Sequence, residues 1–213
     1  IPNDHVLLEE LPNFVVFRYE LGNFDRNSTY NGNKCVFKEL GGQLLFLKQD
    51  YSIKFSDLFI VRVGGTSAAQ PIFTNKKGNI EVVNSETQAT GKLRRMFYNC
   101  YSEELLPYKE ELMDRKIRDF DESNWYMWGR NCYEGEEIRV YVNYRTRRKN
   151  PFFYNDCKYY DGSIFGIFPK FEISKDRISE LLNDLNNVDW NEQGFMCGNR
   201  YLFSHTSLSN CYL

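Results

Sequence analysis

The chain has 213 residues, 42% of them hydrophobic and 26% charged, with a formal net charge of −2. That length supports a real hydrophobic core in a single domain spanning 1–213. The composition excludes a disordered chain, and the slightly acidic balance excludes a general nucleic-acid binder. Aromatic residues reach 16%, and rings that pack on pleated surfaces favour β structure.

In chain order, Phe14 to Glu20 is a dense run of β-formers and predicts the first strand. A polar stretch through Asn33 follows and contains Asn27-Ser28-Thr29, an N-glycosylation acceptor that implies an exposed loop. Cys35 to Glu39 and Gln43 to Leu47 predict a hairpin across Gly41-Gly42. Leu58 to Val63 is a further strand, stopped by Gly64-Gly65, and Asn79 to Asn84 and Lys92 to Tyr101 continue the pattern. Ser102 to Phe120 is helical in character, with Ser102 as N-cap and a break or later start at Pro107. Trp125 to Trp128 and Glu137 to Tyr144 read as strands. In the second, Ile138, Val140, Val142 and Tyr144 share one face and Arg139, Tyr141 and Asn143 the other. Pro151 to Tyr160 and Ser163 to Phe168 predict a hairpin through Asp161-Gly162. Ser174 to Asn187 is the clearest helix: Ile178, Leu181, Leu182 and Leu185 form one apolar stripe, with Ser174 as the cap.

Six cysteines, Cys35, Cys100, Cys132, Cys157, Cys197 and Cys211, are scattered without C-x-x-C spacing. The even count predicts three disulfides in any of 15 connectivities, and hence a secreted, extracellular glycoprotein modified at Asn27. No transmembrane-length apolar run is present. The absence of a basic-plus-apolar leader at Ile1 reads as a mature chain whose signal peptide has gone.

No nucleotide-binding, metalloprotease or serine-hydrolase motif occurs. Only His5 and His205 could act as histidine bases or ligands. The chain is therefore expected to be non-enzymatic, with no metal and no cofactor. Arg145-Thr146-Arg147-Arg148-Lys149 is the one notable charge run. It suits an acidic or sulfated partner, has the order of a furin-type processing site, or simply keeps a hairpin tip polar. Trp125, Tyr126 and Trp128 form a ligand platform or fill a core.

Two stretches carry a family resemblance: Phe14-Val15-Val16-Phe17-Arg18-Tyr19-Glu20 with Asn31-Gly32-Asn33-Lys34-Cys35-Val36-Phe37, and Phe153-Tyr154-Asn155-Asp156-Cys157 followed by a hairpin, a helix and a cysteine-bearing tail. Together they resemble the secreted tick salivary lipocalins. The resemblance covers the two ends of the chain; no clean lipocalin G-x-W stands near the first strand, and the middle is longer than the pattern needs. It implies an eight-stranded antiparallel barrel before a C-terminal helix, with Cys35–Cys211 and Cys157–Cys197 bridged and Cys100–Cys132 left over as an extra bridge. The fold expected is thus mostly β, a lipocalin-like antiparallel barrel or a β-sandwich with a C-terminal helix, stapled by disulfides.

Two functions follow. One is sequestration of a small mediator, an amine or lipid, in a barrel cavity lined by Phe17, Phe37, Trp128 and Tyr144, with Glu39 selecting an amine. The other is a protein-binding module, an immune modulator or adhesion protein acting on a host protein through exposed aromatic residues and the basic Arg145–Lys149 turn.

Overall fold

The computed structural model describes residues 51–213 in full, and before them the backbone of the short strands within 14–47. In that first stretch β1 (Phe14–Val15), β4 (Val36–Leu40) and β5 (Gln43–Leu47) form a three-stranded antiparallel sheet. β4 and β5 are the hairpin expected across Gly41-Gly42. β2 (Thr29–Tyr30) and β3 (Asn33–Lys34) make a two-stranded ribbon.

The centre of the described body is a four-stranded antiparallel sheet of β6 (Phe59–Val63), β9 (Val140–Asn143), β11 (Phe152–Phe153) and β12 (Ile164–Pro169), in the order β11-β9-β12-β6. All four residues of β9 are buried, as are the first five of β12. Both faces of these central strands are covered, so their alternation divides two cores instead of separating core from solvent. On one face Val140, Val142, Phe165 and Ile167 join Phe59 and Val61 in the largest hydrophobic cluster. On the other, Tyr141 and Ile164 meet Val83 and Tyr160 in a small bridging cluster.

The helix Ile178–Asn187 closes the first core with Ile178, Leu181 and Leu185, while Leu182 is only half-buried. A 3-10 turn, Lys175–Arg177, precedes it, and the Ser174 side chain makes no capping bond there. Trp190 sits 5.0–5.6 Å, centroid to centroid, from Phe152, Phe195 and Phe203, and its Nε1 donates to the Leu185 carbonyl (2.8 Å). That bond satisfies one of the carbonyls a helix end leaves free. The helix His205–Asn210 follows, with Ser204 and Ser207 in a reciprocal capping box.

The third cluster lies in residues 73–132 and uses little regular structure. β7 (Ile80–Val82) and β8 (Arg94–Met96) form a hairpin. Around it pack Phe73, Phe97, Tyr98, Leu105, Leu112, Trp125 and Trp128. Ser102 accepts from the Glu104 amide as expected, and Pro107 confines the first turns to a 3-10 helix (Glu103–Tyr108), the α-helix starting at Lys109 and ending at Met113. Arg115 is 8% exposed and has no carboxylate partner among the described residues. It donates instead to the carbonyls of Leu112, Ser67, Trp125 and Met127 and stacks on Phe120, 3.8 Å from the ring centroid. Burial pulls its basicity down to about 10, aided by the charge of Arg118.

Several expectations are overturned. The described sheets are small and antiparallel, and none closes into a barrel; helix and strand are present in similar amounts, so the fold is mixed, neither mostly β nor a lipocalin-like barrel or sandwich. Trp125 to Trp128 is a chain of turns, not a strand. The rings drive burial, and the pleat is not needed to achieve it. Ser163 to Phe168 does not form a hairpin with Pro151 to Tyr160: β12 pairs with β9 and β6, while β11 pairs with β9.

Cys100, Cys132, Cys157, Cys197 and Cys211 are free thiols, so the bridges Cys100–Cys132 and Cys157–Cys197 are not formed. Cys35 and the sequon at Asn27 lie outside the described residues. With these bridges absent, the disulfide basis for reading a secreted, lipocalin-type glycoprotein fails. Cys132 and Cys211 act as small core residues, their thiols pushed up to about 12 by burial. The tail is held by backbone pairing, with Phe55 N donating to Cys211 O (2.8 Å) and Leu213 N to Ile53 O (2.7 Å).

Candidate functional site: a basic aromatic turn

The sheet positions the basic run. After β9 the chain leaves at Tyr144, whose amide donates to Ser163 O (2.8 Å) and whose carbonyl accepts from Phe203 N (2.9 Å). β10 (Arg145–Thr146) then pairs antiparallel with β14 (Arg200–Leu202), itself paired with β13 (Met196–Cys197). Thr146 is buried, and its Oγ1 accepts from Arg148 N (3.1 Å), which folds the chain over into the turn. The far end is pinned where Gln88 Nε2 donates to the carbonyls of Asn150 (2.8 Å) and Pro151 (3.2 Å). Asn186 then exchanges hydrogen bonds with both backbone groups of Phe152. The turn is therefore a display loop fixed at both ends.

Its cations face outward: Arg145, Arg147, Arg148 and Lys149 are all exposed. The pairing of Arg145 with Leu202 and of Thr146 with Tyr201 points the chain towards Arg200 as it reaches Arg147. Residues 143–155 and 195–204 contain no Asp or Glu. None of these five cations has an ion-pair partner among the described residues, whereas much of the remaining surface charge is paired. Lys77 meets Glu104 and Arg177 meets Glu180, and Lys109 with Glu122 and Lys158 with Glu136 form two more pairs. Tyr144 is 41% exposed, with the Arg145 guanidinium 5.2 Å from its ring centroid and the Phe165 ring behind it at 6.3 Å.

Of the residues expected to line a cavity, Trp128 and Tyr144 have described side chains, and these pack against different neighbours. Trp128 is 1% exposed, its ring against Tyr98 and Phe73 and its Nε1 donating to Phe97 O (2.7 Å), in the cluster of residues 73–132. Tyr144 stands at the end of the central sheet, where it is exposed, with its ring beside Phe165. Phe37 and Glu39 belong to β4 by backbone; their side chains, and Phe17 entirely, lie outside the described residues. His205 is exposed, while Ser204 and Ser207 spend their hydroxyls on the helix cap. No group of acidic, histidine or cysteine side chains able to hold a metal occurs among the described residues. Sequence reasoning missed Tyr144 as an exposed partner of the basic run; the adjacency of Tyr144 and Arg145 was the available signal.

Neither a scan against protein-family models nor a search of curated proteins found a match to this chain.

Proposed function

We propose that the protein is a non-catalytic binding module whose contact surface is the Tyr144–Lys149 turn, and that its partner is an acidic segment of another protein. The observation that carries this reading is the set of exposed cations on a pinned turn with no carboxylate partner among the described residues. Unpaired guanidinium groups offer fork-shaped donors that match carboxylates two bonds at a time. The exposed ring of Tyr144, stacked under Arg145, adds apolar contact, and tyrosine and arginine are the residues that dominate protein contact energies. That pairing of ring and charge favours a polypeptide over a sulfated polysaccharide, which would need the charge alone. Complementary charge would also speed encounter and make it sensitive to salt.

The test is titration of a short Asp/Glu-rich peptide, with and without a central leucine, and of heparin, against wild type, Arg147→Glu/Arg148→Glu and Tyr144→Ala. The expected result is peptide binding that weakens with salt, falls at least tenfold in the double charge reversal and loses its preference for the leucine peptide in Tyr144→Ala. Equal binding by all three proteins, or binding of heparin alone, overturns it.

A further inference from the structure

A second site lies where β6 runs on past its end. Gly64 N donates to Ile164 O (3.1 Å) and Gly65 N to Tyr160 O (2.9 Å), and Thr66 exchanges both backbone bonds with Arg130. The glycine pair is a close-approach device. A Cβ on Gly64 would collide with the Asp161 carbonyl, and one on Gly65 would lie 2.5 Å from Cys132 Sγ and 2.9 Å from the Trp128 ring. The chain then turns through Ala68, a non-glycine residue at φ 60°. That left-handed conformation is uncommon for alanine, and strain of this kind gathers at binding sites.

Between this loop and the turn at residues 161–163 lies an open cleft of about 340 Å³, floored by Met96 and Trp128 and edged by Thr66, Gln70, Asp161 and Ser163. Its volume falls within the range of small-molecule sites, roughly 300–1,000 Å³. Two charged groups at the cleft cancel. Asp161 is 6% exposed; its Oδ2 accepts from Arg94 Nη1 and Gln70 Nε2, both at 3.0 Å, and its Oδ1 from the Ser163 amide (2.9 Å) and hydroxyl. All its acceptor sites are used, so no carboxylate is left to select an amine.

Arg130, which is exposed, stands beside the cleft against two of its lining residues, Thr66 and Gly162. Nε donates to Gly64 O (3.1 Å) and Nη2 to Thr66 Oγ1 (2.9 Å), which holds the guanidinium in place. Two of its five N–H groups are used and three remain. No carboxylate pairs with it among the described residues. Nη2 also lies 3.4 Å from the position a Gly162 Cβ would take, and glycine there keeps the cleft open beside the cation.

We infer that this cleft binds a small organic carboxylate, its anionic end on Arg130 and its apolar body against Met96 and Trp128. The inference stands independently of the basic turn. Titration calorimetry with phenylacetate, phenethylamine and benzyl alcohol tests it, on wild type, Arg130→Gln and Gly162→Ala. Phenylacetate should bind wild type at least tenfold more tightly than either other probe. It should lose at least tenfold in Arg130→Gln, which removes an exposed charge, and in Gly162→Ala, whose Cβ would come 2.7 Å from Thr66 Oγ1 and 3.4 Å from Arg130 Nη2 and so crowd the cleft at the cation. Amine preference, unchanged affinity in both variants, or no binding of phenylacetate at millimolar concentration overturns the inference.

Discussion

The two large cores among the described residues are built by different means. The core beneath the central sheet uses regular elements: strands, one amphipathic helix and a ring cluster around Trp190. The core of residues 73–132 is assembled from turns, short helices and one small hairpin. Its backbone has few ladder partners, so side chains satisfy it. Arg115 serves four carbonyls and Trp128 Nε1 a fifth. Where secondary structure is short, buried polar side chains take over the duty of pairing the backbone.

The largest effect that separates the two cores comes from Arg115. Arg115→Met keeps much of the volume but leaves the Leu112, Ser67, Trp125 and Met127 carbonyls without their donor. Each buried group left unpaired costs about 1–3 kcal/mol, so with four of them a loss of about 4 kcal/mol or more in urea unfolding is expected. A loss below about 1 kcal/mol would show that this core does not depend on polar pairing. In the sheet-side core the comparable change is apolar. Leu185→Ala should cost roughly 2–5 kcal/mol, the usual range for a buried leucine. Leu182→Ala should cost clearly less, because Leu182 is half-buried while Leu185 is 2% exposed. Equal losses would mean that the helix is rotated from the position described.

The contrast explains what could be read in advance. The Ile178–Asn187 helix was legible because its leucine spacing is periodic, and β6, β9 and β12 because β-branched and aromatic residues cluster there. The folding of residues 97–132 was not legible. A lone Arg115 among charged neighbours carries no sign that it will be buried, and Trp125 to Trp128 offers rings that suit a pleat but fold as turns. Gly64-Gly65 was read as the end of a strand, yet it marks the place where backbones touch and a cleft opens. Of the two expected pocket residues whose side chains are described, Trp128 borders that cleft and Tyr144 does not, while the exposed basic run was plain from the sequence. An even number of cysteines suggested bridges, but parity says nothing about distance.

The thiols give an effect that falls on both cores. Cys132 lies in the residue 73–132 core and Cys211 in the sheet-side core, both buried, while Cys197 is exposed. A maleimide should label Cys197 in the native protein and reach Cys132 and Cys211 only on unfolding; failure of Cys197 to react would point to a bridge. Both buried thiols ionise near 12, against about 9 when unfolded. Between those values the unfolded chain has released protons that the folded chain keeps. Their contribution is therefore complete below pH 9 and is lost as pH rises towards 12, by up to about 1.4 kcal/mol per pH unit for each thiol. Flat stability across that window would show that neither thiol is sequestered.

The smallest effect belongs to the joint between the cores and has the opposite sign. Tyr160 is fully buried in the bridging cluster with Tyr141, Ile164 and Val83, at a centroid distance of 5.3 Å from Tyr141. Its backbone is well used, the carbonyl accepting from Gly65 N (2.9 Å). Its hydroxyl, however, has no hydrogen-bond partner among the described residues and lies against Gly166, where a Cβ would come within 2.8 Å of the oxygen. Burial pushes the ionisation of this phenol upward, the behaviour of a group cut off from water. Desolvating a hydroxyl without a partner costs free energy that the ring's packing must offset. Tyr160→Phe removes the orphan oxygen and keeps the ring, so it should raise stability by up to about 1 kcal/mol. A loss of stability instead would mean that the hydroxyl is bonded, and that the joint, like the core of residues 73–132, is held by polar pairing and not by apolar packing alone.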